Sequence, residues 1–132
     1  MTIYTDGSCN NRRGYKLSHV GGIGIVVVEN DEIIAEHSGG AWFPTDSYVM
    51  ELQAIVTALE MVGVGDEKII IYSDNESCVD TLRREWLLQW IEDGRIHDKN
   101  KLWLEFIDQF NRHDGNVELR WIKGHFLSLI HI

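Results

Sequence analysis

Residues 68–73 read Lys-Ile-Ile-Ile-Tyr-Ser, an unbroken apolar, β-rich run that stops at Asp74-Asn75. A run of this length without polar alternation is a strand, and it predicts cover on both faces. Helical spacing precedes it, from about Ser47 to Val62, and follows it from about Glu76. A strand set between helices belongs to an α/β layer architecture, with helices lying over the sheet.

The remaining segments fill in that architecture. Thr2–Thr5 alternates and ends at Asp6-Gly7-Ser8, and residues 9–19 read as a polar loop. Val20–Glu29 is β-branched and punctuated by glycine, Asn30-Asp31 turns the chain, and Ile33–Gly40 reads as the hairpin partner. Gly21-Gly22-Ile23-Gly24 opens a strand, so it marks close backbone packing and not a phosphate-binding loop. Asp46 or Ser47 caps the first helix, and Gly63 and Gly65 stop it. A further helix runs from about Asn100 to Arg112, and Val117–Ile122 is the last strand. The order β-β-β-α-β-α-α-β predicts a mixed five-stranded sheet, an antiparallel hairpin extended by parallel strands, with helices on both faces.

The 132 residues fit one domain. The start, Met-Thr-Ile-Tyr-Thr-Asp, lacks the basic-then-apolar pattern of a signal peptide, and no apolar run approaches a membrane span. Two cysteines make no disulfide framework. The expectation is a cytoplasmic protein. A net charge of −9 argues against a basic nucleic-acid coat protein, but not against a nucleic-acid enzyme whose acids hold metal.

Three of those acids stand where acids are costly. Asp6 and Asp74 each end an apolar strand, where α/β sheets tend to bind ligands. Glu51 falls on a helical wheel in line with Ile55, Ala58 and Val62, flanked by Leu52 and Leu59, with Gln53, Thr57 and Glu60 opposite. A carboxylate on that face must be paired, protonated or bound to metal. Taken singly, an Asp before Gly or Asn is most often a turn or capping residue. Two strand ends and one inward helix position can converge on one point, however, and converging hard oxygens suit Mg²⁺ or Mn²⁺ and phosphoryl transfer. Zinc is disfavoured, because Cys9, Cys78 and the six histidines show no CxxC or HxxxH spacing, and Cys78 reads as a small buried residue. Ser8 lacks the elbow of a Ser-His-Asp hydrolase.

Thr5-Asp6-Gly7-Ser8-Cys9, Gly21-Gly22-Ile23-Gly24, Met50-Glu51-Leu52-Gln53-Ala54, Tyr72-Ser73-Asp74-Asn75 and Trp121-Ile122-Lys123-Gly124-His125 occur in this order. The ordered set resembles the motifs of type 1 ribonuclease H, over residues 2 to about 125. The resemblance implies an endonuclease that hydrolyses the RNA strand of RNA–DNA hybrids with two Mg²⁺ ions, Mn²⁺ being a substitute. It implies that Asp6 bridges both metals, that Glu51 and Asp74 are the next acidic ligands, and that the Gly7 carbonyl approaches a metal. His125 matches a histidine that assists the attacking water or product release. Ser8, Cys9, Asn10, Ser47 and Asn75 fall along the implied substrate groove, and Asn100 near a DNA-phosphate pocket. Trp86 and Trp90 repeat the spacing of a helix that contacts the DNA strand, although aromatics four apart pack cores as readily.

The chain also departs from the family pattern. The loop between Asp6 and Gly21 is longer than usual and carries Arg12, Arg13 and Lys16, which can supply phosphate contacts. Residues 91–101 balance three bases against three acids where relatives are basic, so hybrid binding should be less salt-sensitive. Asp46-Ser47-Tyr48 replaces a Thr-Asn-Asn-like segment. No acid follows His125 in this sequence, so the expectation is a domain without the family's fourth carboxylate and final helix. The tail Leu-Ser-Leu-Ile-His-Ile is what the codons CTG TCT CTT ATA CAC ATC of a transposase sequencing adapter encode. The expectation is a domain over 1–126 and a non-native tail over 127–132 in an assembled environmental sequence, which resequencing the source DNA tests. The rival functions are a catalytically incomplete hybrid-binding module and another nuclease on the same scaffold.

Overall fold

The structure, a computed structural model, describes residues 1–10, 20–41, 47–83, 89, 92–94 and 101–123, except the side chains of residues 8–10, 20, 21, 40, 41, 47, 82, 83 and 101. Five strands, β1 (Thr2–Asn10), β2 (Val20–Glu29), β3 (Glu32–Ala41), β4 (Ile69–Ser73) and β5 (Val117–Trp121), form one sheet in the order β3-β2-β1-β4-β5. β1 pairs antiparallel with β2, and β2 with β3; β1 pairs parallel with β4, and β4 with β5. Three helices are described over their length: α1 (Ser47–Met61), α2 (Glu76–Arg83) and α3 (Lys101–Arg112).

The mixed sheet agrees with the sequence reading, and two of its details differ. β1 does not end at Thr5. Its ladder with β2 continues through Asp6↔Gly24 to Asn10↔Val20, because β2 supplies backbone partners along the whole length. Asp6 is therefore a strand residue held in an extended ladder and not the first residue of a turn. The β2–β3 connection is the tight turn expected, with Asn30 and Asp31 at φ 54° and 63°. Asn and Asp tolerate that left-handed geometry in two-residue hairpins.

The second difference concerns cover. Ile3, Ile25, Val27, Ile69, Ile71, Val117 and Leu119 share one sheet face and form a single core with Leu52, Ile55, Val56, Leu59, Cys78, Val79, Trp103 and Phe106. The described helices α1, α2 and α3 all pack against this face. On the opposite face Ile70 and Tyr72 of β4 are half-buried, and Tyr72 stacks on Tyr4 at 5.2 Å between ring centroids. The apolar run 68–73 is buried on alternate residues, and its other face is closed partly by aromatic stacking within the sheet.

The end of α1 is also built differently from the glycine stop expected. Neither Gly63 nor Gly65 has positive φ. The last carbonyls are instead taken by the end of α3. Arg112 Nη2 donates to Leu59 O and, at 2.9 Å, to Val62 O, and buried His113 sets Nε2 3.0 Å from Leu59 O. These bonds satisfy the acceptors a helix leaves unpaired at its C-terminus. His113→Ala is expected to destabilise the chain by about 2–3 kcal/mol, through the cavity it leaves and the loss of one of the two contacts to the Leu59 carbonyl. Urea unfolding measures this, and an unchanged midpoint contradicts it.

Candidate active site

Parallel pairing of β1 with β4 matches Tyr4 to Tyr72, so two residues further on Asp6, within β1, stands level with Asp74, just past the end of β4. α1 closes on this point because Gly7 has no side chain. A Cβ there would sit 2.3 Å from the Met50 carbonyl carbon and 2.4 Å from the Glu51 nitrogen. Backbone therefore packs on backbone, and Glu51 is carried to the strand ends. Its side chain is only 4% exposed, on the inward stripe read from the helical wheel. One carboxylate oxygen from each of Asp6, Glu51 and Asp74 lies within 4.8 Å of the others.

Gly7→Ala is expected to pry α1 from β1, costing about 1–3 kcal/mol in stability as overpacking does and weakening divalent-cation binding. Thermal melts and Mn²⁺ titration check this; wild-type affinity in the variant contradicts it.

The electrostatics follow from the crowding. Burial pushes the Glu51 carboxyl up to about 9, a hydrogen bond with Asp74 and the charges of Asp74 and Asp6 add to the rise, and the Gly7 N–H opposes it. Without a cation this crowding favours a proton on Glu51, which hydrogen-bonds to Asp74. Two exits exist for such a cluster: protonation, or a cation of matching hardness. Three hard oxygen donors, one of them buried and aimed at the other two, fit a divalent ion that takes the proton's place.

The corner that carries Asp74 is fastened from several sides. Buried Ser73 donates from Oγ to Glu51 Oε2 at 3.2 Å and accepts from the Asn75 N–H at 3.2 Å. Asn75 Oδ1 accepts from the Cys78 N–H at 3.0 Å, so this residue caps α2. The Trp121 indole N–H donates to Asp74 O at 3.2 Å, and the Ile122 N–H to Ser73 O at 2.9 Å. Tyr48, in the segment expected to face substrate, accepts from Trp103 Nε1 through its hydroxyl at 2.9 Å and so ties α1 to α3.

The structure thus brings together Asp6, Gly7, Glu51, Asp74 and Asn75. His125, Trp86, Trp90, Asn100 and the basic residues Arg12, Arg13 and Lys16 lie outside the described residues, as do the side chains of Ser8, Cys9, Asn10 and Ser47. Sequence reasoning missed Ser73, Trp121 and the Gly7 N–H. For Ser73 a signal existed: a hydroxyl in step with buried Ile69 and Ile71, immediately before Asp74.

Sheet and cluster together define an α/β enzyme scaffold with a carboxylate nest able to hold a divalent cation. The family model of RNase H matches residues 1–128. The chain belongs to the ribonuclease H family. It is 31% identical over 131 residues to Ribonuclease H of Moorella thermoacetica, covering 95% of this chain and 80% of that one. It is 34% identical over 130 residues to Ribonuclease H of Cyanothece sp., covering 93% and 76%. Among solved structures, LC11-RNase H1 in complex with RNA/DNA hybrid superposes with a TM-score of 0.70 at 21% identity, covering 92% of this chain and 84% of that one. The solution structure of the PFV RNase H domain gives a TM-score of 0.71 at 19% identity, covering 95% and 79%.

Proposed function

We propose that this chain is a divalent-cation-dependent endonuclease that hydrolyses the RNA strand of RNA–DNA hybrids. The observation that carries this reading is the convergence of Asp6, Glu51 and Asp74 within 4.8 Å on a ribonuclease H scaffold. The hybrid bound to LC11-RNase H1 supports the substrate class.

In this reading Mg²⁺ is the physiological ion, two are used, and Mn²⁺ substitutes. Bound at the carboxylates, such ions supply an activated water and offset charge on the reacting phosphate. The chain's own residues do the rest. Asp6 would hold such an ion from β1, with an oxygen close to those of Glu51 and Asp74. Glu51 would give up its proton to a bound cation, and Asp74 would hold the ion from the corner that follows β4. His125 assists the attacking water or product release. Ser8, Cys9, Asn10 and Ser47 line the ribose side, with Asn75 at the corner, while Trp86, Trp90 and Asn100 meet the DNA strand. The catalytic domain spans 1–126 and works in the cytoplasm. Among the described residues no helix is long and apolar enough to cross a membrane.

A panel of labelled substrates tests the proposal. In Mg²⁺ the hybrid is expected to be cut in its RNA strand, with single-stranded RNA and duplex DNA untouched. Hybrid bound but uncut in both Mg²⁺ and Mn²⁺ would mean a binding module, and cutting of duplex DNA would mean another nuclease on this scaffold.

A further inference from the structure

We propose that Ser73 is a positioning residue of the cation site: its one hydroxyl sets the Glu51 carboxylate and joins α1 to the corner bearing Asp74. This inference rests on the reading that the carboxylates hold a divalent ion.

The geometry is specific. Ser73 is fully buried, so no bulk water can stand in for its hydroxyl. A serine Oγ has one proton to give and lone pairs to receive. The Asn75 N–H occupies a lone pair at 3.2 Å, and the proton goes to Glu51 Oε2, also at 3.2 Å. With its acceptor side committed to the Asn75 N–H, the hydroxyl is directed at the carboxylate. Glu51 has three rotatable side-chain bonds, and a long side chain left free at the site would spread its oxygens over several positions. The Gly7 N–H restrains it from β1 and the Ser73 O–H from β4. The two donors come from β1, which carries Asp6, and from the last residue of β4, next to Asp74, so the carboxylate is registered against both other acids at once. Asn75 is itself anchored as the cap of α2. The corner therefore cannot drift without breaking either the cap or the Ser73 bridge. Residues that hold a ligating carboxylate in this way typically change metal affinity or activity by about 10–100-fold when removed.

Three variants of the full chain test this: Ser73→Ala removes the hydroxyl, Ser73→Cys keeps the volume without a strong donor, and Ser73→Thr keeps the hydroxyl. Mn²⁺ binding is measured by calorimetry beside thermal melts, and hybrid cleavage as a function of Mn²⁺ concentration. Ala and Cys are expected to bind Mn²⁺ about 10–100-fold more weakly, with the metal concentration for half-maximal cleavage rising in step and the rate at saturating metal changing less. Thr is expected to stay near wild type. Folded Ala and Cys variants that bind Mn²⁺ as wild type does overturn the proposal alone, and so does a Thr variant as weak as Cys. If Ala does not melt cooperatively, the Cys and Thr pair decides by the same criteria. A wild-type chain that binds no Mn²⁺ overturns the proposal and the reading of the site together.

Discussion

Asp6→Asn is expected to abolish hybrid cleavage while leaving the fold intact or slightly more stable in metal-free buffer. The side chain keeps its shape and loses its charge. Asp6 is one of the three acids whose oxygens lie within 4.8 Å, and its charge helps hold the Glu51 proton in place. Removing that charge relieves repulsion in the ion-free state, so the melting midpoint should stay level or rise. The same change removes a hard anionic ligand. The loss of activity should exceed the roughly 10–100-fold that follows from losing a residue that merely supports a ligand. Opposite movement of stability and activity marks a functional site that the fold tolerates at a cost. Cleavage assays beside thermal melts read both quantities. A folded Asp6→Asn chain that cuts at the wild-type rate contradicts the account.

The second large effect is a pH dependence that bound metal reverses. In the ion-free fold the Glu51 carboxyl is raised from 4.5 to about 9. Between those values folding takes up a proton. The stability from this group is therefore fully present below pH 4.5 and is lost as pH rises toward 9. Each pKa unit is worth about 1.4 kcal/mol, so even part of this rise moves the melting midpoint by several degrees. The metal-free chain is expected to lose stability across that window relative to Glu51→Gln, whose amide does not titrate. Mn²⁺ must displace the proton to bind, so it should stabilise the wild-type chain far more at about pH 8 than at about pH 5. Melts at several pH values, with Mn²⁺ and with chelator, test this. Parallel curves for wild type and Glu51→Gln contradict it.

Much of this site was legible in the sequence because each acid broke a local rule. Glu51 sat on a stripe otherwise filled by Ile55, Ala58 and Val62, and the structure buries all four. Asp6 and Asp74 each come directly after an apolar stretch, and parallel pairing brings them level. What stayed hidden depended on partners distant in the chain. Ser73 lies 22 positions from Glu51, and its bond exists only once α1 crosses the strand ends. Gly63 and Gly65 suggest a glycine stop for α1, yet the capping groups arrive from Arg112, some 50 residues later. β1 was read short because Asp-Gly-Ser resembles a turn, and only the ladder with β2 keeps it extended. Cover on one face of β4 and partial cover on the other cannot be told apart in a run as uniformly apolar as Ile69–Tyr72, where strand periodicity carries no contrast.

Three carboxylates, from β1, α1 and the β4–α2 corner, are expected to form one divalent-cation site. Crystals of the chain soaked in Mn²⁺ and measured for anomalous scattering test it most directly. The account predicts a peak coordinated by oxygens of Asp6, Glu51 and Asp74, absent from Asp6→Asn crystals under the same soak. Strong peaks elsewhere with that nest empty would contradict it.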